Sequence, residues 1–95
     1  MSLKFEWDPR KAASNLSKHG VSFQEAVTAF ADPLARIFDD EDHTVDEQRE
    51  IIIGHSAKER LLVVCFTSQV ESARIFSARK ATRRERKKYE ENTKS

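Results

Sequence analysis

Ninety-five residues leave room for one domain, 1–95, and 38% hydrophobic against 35% charged residues predict a small core inside a heavily charged shell. Two glycines and two prolines exclude collagen-like or loop-rich architectures, one cysteine (Cys65) excludes a disulfide framework and a four-cysteine zinc site and suits a reducing cytoplasm, and the longest apolar run, Leu61 to Phe66, is far short of the ~20 residues that span a membrane. The net charge of +1 hides a split, because residues 1–48 carry five Lys/Arg against ten Asp/Glu (−5) and residues 49–95 carry twelve against six (+6), which points to a polyanion-facing side and a separate acidic side.

Phe5-Glu6-Trp7 reads as a short strand or extended lead-in, without a signal-peptide pattern. Asp8-Pro9 then starts a helix, with a carboxylate N-cap and proline at the first helical position. Ala12, Ala13 and Leu16 give it one narrow apolar face, Lys18 and His19 suit the negative end of its dipole, and Gly20 is its left-handed stop. Ser22 to Glu25 is a capping box, and Phe23, Ala26, Val27 and Phe30 recur at helical spacing until Asp32-Pro33. From Leu34 the period becomes that of a strand. Asp39 to Asp42 is an acidic turn or loop running on towards Glu47, Arg49 to His55 a second strand, and Lys58-Glu59 a hairpin turn. Arg60 to Thr67 is a continuous apolar, β-branched run, as in a central strand covered on both faces. Gln69 to Ser72 turns again, residues 73–78 alternate as a further strand, and Thr82 to Glu85 caps a last helix whose only large apolar anchor is Tyr89. The order predicts an α+β fold: a short N-terminal strand, two helices, an antiparallel sheet of about four strands, and a C-terminal helix.

His19, His43 and His55 are scattered, and no paired-ligand spacing predicts a metal site. There is no GxSxG and no Gly-rich phosphate loop, and Cys65 inside an apolar run reads as inert core, so no cofactor is expected. What remains is basic. Arginine offers a planar fork that matches phosphate oxygens. Arg49, Arg74 and Arg79 lie on strands, where each is either a phosphate clamp or an ion-pair partner of Glu6, Glu25 or Glu47. Seven of the ten residues from Arg79 to Lys88 are basic, which reads either as a solvated helix or as a phosphate-contacting surface. His19 either caps the helix dipole or, as histidines do near neutral pH, transfers protons.

Three stretches, residues 5–26, 49–67 and 73–91, together resemble the BrnT family of bacterial toxins. The most specific pieces are Trp7-Asp8-Pro9, Lys18 to Phe23, and Ser77 to Ala81 followed by Glu85 and Tyr89; Phe76 departs from the pattern, standing where an aliphatic residue is usual. The resemblance implies a RelE-like fold and a ribonuclease toxin of a type II toxin–antitoxin system that inhibits translation and growth. It further implies neutralisation by a BrnA-like, DNA-binding antitoxin, with which the toxin autorepresses its operon, and a 2:2 assembly. With that resemblance, the expected activity is a metal-independent endoribonuclease in the cytoplasm. Arg49, Arg74 and Arg79 would hold the scissile phosphate, and Lys18 and His19 would transfer protons or stabilise charge. Arg83, Arg84, Arg86, Lys87 and Lys88 would bind flanking RNA phosphates or be covered by acidic residues of the antitoxin. The competing expectations are a non-catalytic nucleic-acid-binding module and a subunit that only docks on an acidic protein partner.

Overall fold

The computed structural model describes residues 4–40 and 48–93. The elements run β1 (Lys4–Glu6), α1 (Pro9–His19), α2 (Phe23–Ala29), β2 (Arg36–Asp39), β3 (Glu50–His55), β4 (Leu61–Gln69), β5 (Ser72–Lys80) and α3 (Arg83–Thr93). This is the expected α+β order. Most of the expected acidic loop, residues 41–47, lies outside the described residues.

Local chemistry explains the helix ends. The Asp8 carboxylate accepts from Arg10 N–H at 2.8 Å, and Pro9 opens α1. Gly20 closes it at φ 69°, its N–H donating to the Leu16 carbonyl; only glycine takes that conformation without strain. Ser22 caps α2 by accepting from Glu25 N–H at 3.0 Å. The reciprocal half of that box is not made by the Glu25 side chain, which is buried and bound elsewhere. The Thr82–Glu85 box closes both ways, at 2.8 and 3.2 Å.

The sheet order is β1-β5-β4-β3-β2. β4 is central, as its unbroken apolar run predicts, and it pairs antiparallel with β3 and β5. The sheet differs from the expected antiparallel meander in having five strands and being mixed. The N-terminal segment pairs parallel to β5, with Phe5 opposite Ala73. Two helices and three strands intervene between β1 and β5, far more chain than a parallel connection needs.

Helices α1 and α2 cover one face over a core built on Phe23, Leu62, Val64 and Ile75. At Gly54 the backbone of β3 passes so close beneath α2 that a Cβ would lie 2.8 Å from the Ala29 carbonyl oxygen. Helix α3 covers part of the other face, packing Tyr89 on Ile53, Leu61 and Val63.

The contact face of α1 is not the expected one. Ala13 and Leu16 are exposed, and the buried residue is Asn15. The reason lies in β5. β1 reaches only as far as Arg74, so among the described residues no strand pairs with the later part of β5 on that side. Asn15 substitutes for one, donating to the Ala78 carbonyl at 2.8 Å and accepting from the Ala78 N–H at 3.1 Å. Its second amide hydrogen goes to the Val21 carbonyl at 2.9 Å. A leucine there would leave those buried backbone groups unsatisfied.

Asn15→Ala strands three backbone groups, each with a desolvation penalty of order 1–3 kcal/mol, part of which water entering the gap recovers. Urea unfolding is expected to show a loss of about 2–4 kcal/mol, with Asn15→Leu no better. A loss below ~1 kcal/mol would show that Asn15 does not anchor the helix.

Candidate functional site

Pairing of β4 with β5 is regular until Cys65 and Phe66, where the register shifts: Cys65 faces Ser77, but Phe66 faces Ile75. Phe76 is the extra residue of a β-bulge, a feature that re-aims side chains. Ile75 and Ala78 stay in the core under α1 and α2. Phe76 and Ser77, adjacent in sequence, both line a cavity of about 380 Å³. Three cations from three elements line it too: Lys11 of α1, Arg49 before β3, and Arg79 near the end of β5. The Asp40 carboxylate and Cys65 complete its polar wall.

The cations are held in place. The Arg49 guanidinium lies 4.0 Å from the Phe76 ring centroid, and the Lys11 ammonium lies 5.4 Å from it. Arg79 makes a two-pronged ion pair with Glu85, Nη1 and Nη2 each donating at 2.7 Å. Nη1 also donates to the Lys80 carbonyl at 3.3 Å. Glu85 is the last member of the capping box, so one carboxylate both caps α3 and orients Arg79. The Arg79 hydrogen bonds are the main reason why the Glu85 pKa falls to about 2. Burial raises the Cys65 pKa to about 11, helped by the Asp40 carboxylate to which its thiol donates.

A family model described as "Ribonuclease toxin, BrnT, of type II toxin-antitoxin system" matches residues 7–85, a span that includes Lys11, Arg49, Phe76, Arg79 and Glu85. The chain belongs to the BrnT family. An RNA target and an antitoxin partner come with that membership. The fold agrees: the chain resembles the crystal structure of the Brucella abortus ribonuclease toxin BrnT with a TM-score of 0.66 at 25% identity, over 86% of this chain and 100% of that one. Among curated proteins there is no match.

Of the basic residues singled out in the sequence, this BrnT-family fold brings Arg49 and Arg79 to one cavity. Arg74 does not line it. It sits five residues back from Arg79 along β5, opposite Thr67 and beside Glu6, roughly 16 Å from Arg79 at strand rise. Lys18 and His19 do not line it either, being exposed in the last turn of α1. Lys18 shares a helix stripe with Lys11 but lies about 10 Å further along. Arg83, Arg84, Arg86, Lys87 and Lys88 are all exposed on α3.

The sequence reading did not single out Lys11, Asp40 or Phe76 as cavity groups. Nor did it identify the ion-pair partners. Arg79 takes Glu85, while Glu25 is taken by Arg60 through Nε at 2.9 Å and Nη2; Glu47 lies outside the described residues. A second polar cluster was also missed. The Tyr89 hydroxyl donates to Asp32 at 2.7 Å, His55 N–H donates to the same carboxylate oxygen at 2.8 Å, and His55 Nδ1 lies 3.0 Å from the Tyr89 oxygen. Burial, together with Asp32, pushes the Tyr89 hydroxyl up to about 12, so it stays protonated and ties α3 to the sheet.

Glu85 ionises in the folded chain at about 2, below its ordinary 4.5. A carboxylate shifted this way stabilises the fold above its unfolded pKa and loses that contribution as pH falls through the folded one. Melting temperature is therefore expected to drop between about pH 5 and about pH 2, and to drop less steeply in Glu85→Gln. Glu25 and Asp32, also lowered, supply the residual slope. Equal slopes in the two proteins would rule out the Arg79–Glu85 pair.

Proposed function

We propose that this BrnT-family toxin cleaves RNA without a metal ion, at the cavity between α1, β3 and β5. The observation that carries the reading is the convergence of Lys11, Arg49 and Arg79 from three elements on one small cavity. In the proposed reaction a ribose 2′-oxygen attacks the adjacent phosphorus. The P–O2′ bond forms, the P–O5′ bond breaks, and the 2′-proton leaves to a base while an acid protonates the departing 5′-oxygen. The phosphorane between these states gathers negative charge on oxygens, and fixed cations stabilise it more than they stabilise the starting phosphodiester.

Arg79 suits this role. Two of its five N–H groups go to Glu85 and one to the Lys80 carbonyl. Its Nε–Nη2 edge is left for a phosphate among the described residues, in the two-pronged geometry that guanidinium and phosphate favour. Arg49 and Lys11 supply the remaining positive charge. Arg74, Lys18 and His19 stand along the same strand and helix as this cavity. In this proposal they contact flanking nucleotides, with His19 and Lys18 the groups tested for proton transfer. The exposed α3 residues Arg83, Arg84, Arg86, Lys87 and Lys88 would follow the RNA backbone or meet acidic residues of the antitoxin.

The partner we propose is a BrnA-like, DNA-binding antitoxin in a 2:2 complex that represses its own operon in the cytoplasm. Among the described residues no helix is long and apolar enough to cross a membrane.

Purified protein is expected to cleave RNA in EDTA. Arg79→Ala and Arg49→Ala should each lower kcat/KM by roughly a hundredfold or more while remaining folded, with His19→Ala assayed beside them. Cleavage lost on chelation would overturn the metal-free reaction, and salt-sensitive binding with no product would mean a non-catalytic RNA-binding module. In cells, expression is expected to arrest growth, and co-expression of the neighbouring small gene to restore it. Persistence of the arrest would remove that gene as the antitoxin.

A further inference from the structure

Five of the six phenylalanines in the chain, Phe5, Phe23, Phe30, Phe38 and Phe66, belong to one of the two apolar clusters. Phe76 belongs to neither. The bulge lifts it out of the strand's alternation and into a cavity that it shares with Ile51 and Val63 and with the charged groups of Lys11, Asp40, Arg49 and Arg79. An aromatic ring there gains less from burial than one in the core would, so packing alone does not explain it. The nearer of its two charged neighbours is Arg49, whose guanidinium lies within van der Waals reach of the ring, with the Lys11 ammonium 5.4 Å from the centroid. Ring and guanidinium together form a polarisable surface beside the cations that would hold a phosphate.

We propose that Phe76, with Arg49 laid on it, is a platform for one unpaired nucleobase next to the scissile phosphate, and so a specificity-determining residue. This rests on the reading of the cavity as the RNA site and adds a base to the phosphate. A base offers a π face to such a surface whatever its hydrogen-bonding edge, and a guanidinium plane takes a stacked base as readily as an aromatic ring does. The cavity volume lies within the range of sites that hold a small ligand. A base in a duplex is already stacked on both faces, and the platform would take it only after extrusion. The platform thus selects unpaired nucleotides.

The rival role for Phe76 is to hold Arg49 and nothing more. The two roles separate in a cycle of protein and ligand changes. Binding of 2′-O-methyl oligoadenylate, which this chemistry does not cleave, is compared with binding of an abasic chain of equal length and charge, for wild type and Phe76→Leu. The platform predicts that Phe76→Leu weakens oligoadenylate binding by roughly five- to a hundredfold more than it weakens abasic-chain binding, while Phe76→Trp restores the preference for bases. A support for Arg49 alone predicts the same loss on both chains, and that result overturns the proposal. No loss on either chain overturns it as well. RNA cleavage by wild type is measured in parallel. Product without a base-dependent Phe76 effect sinks the platform alone, whereas no product sinks the ribonuclease mechanism and leaves the binding comparison to decide the platform.

Discussion

Beyond Arg74, no strand among the described residues lies on the outer side of β5, and Asn15 takes the place of one. Its amide satisfies both backbone groups of Ala78 while tying down Val21 at the start of the next helix. A helix normally buries apolar residues against a sheet, but an open sheet edge presents polar groups that leucine cannot satisfy. One asparagine resolves this and sets both the height and the rotation of α1. Lys11 lies four residues earlier, one turn back and on nearly the same side. The bond that closes the sheet edge is therefore also what brings a lysine to the cavity at Phe76.

Three cations around a small cavity repel one another, and contacts around the cavity answer this. Glu85 takes one edge of Arg79 and leaves another. The face of Phe76 lies under the Arg49 guanidinium in a cation–π contact. Asp40 contributes a single carboxylate to the lining. The outcome is a set of donors held in place before any phosphate arrives, the arrangement in which fixed charges stabilise a developing anion most effectively. The net charge of +1 gives no hint of this, because it sums an acidic first half and a basic second half.

What could be read in the sequence was local. Asp8-Pro9, Gly20 and Thr82 to Glu85 act within a few residues, and they stand where their chemistry requires. β4 showed itself as central because burial on both faces leaves an uninterrupted apolar run. What stayed hidden depends on distant chain. Asn15 resembles an ordinary surface residue until the short reach of β1 leaves Ala78 open. Glu25 looks like a member of its own capping box until Arg60, far along the chain, takes its carboxylate. Phe76 reads as one more alternating strand residue because a bulge is a property of the pair of strands and not of either one. The family resemblance, resting on short motifs in order, supplied the toxin assignment that these residues alone did not.

The last helix joins stability to the site. Only Tyr89 gives α3 a large apolar anchor, and its charged residues point outwards. Its docking therefore leans on polar contacts at several points. Glu85 meets Arg79 at one end, Arg36 donates to the Lys88 carbonyl at 3.2 Å, and the Tyr89 hydroxyl reaches Asp32. Each contact is worth little alone, but together they hold the helix that holds Arg79. Whatever grips α3, whether an RNA backbone or an acidic partner, acts on the same structural member that orients the phosphate-facing arginine. In a chain this short, the helix that completes the second core cluster is also the support of the cavity, so the site has no framework separate from the fold.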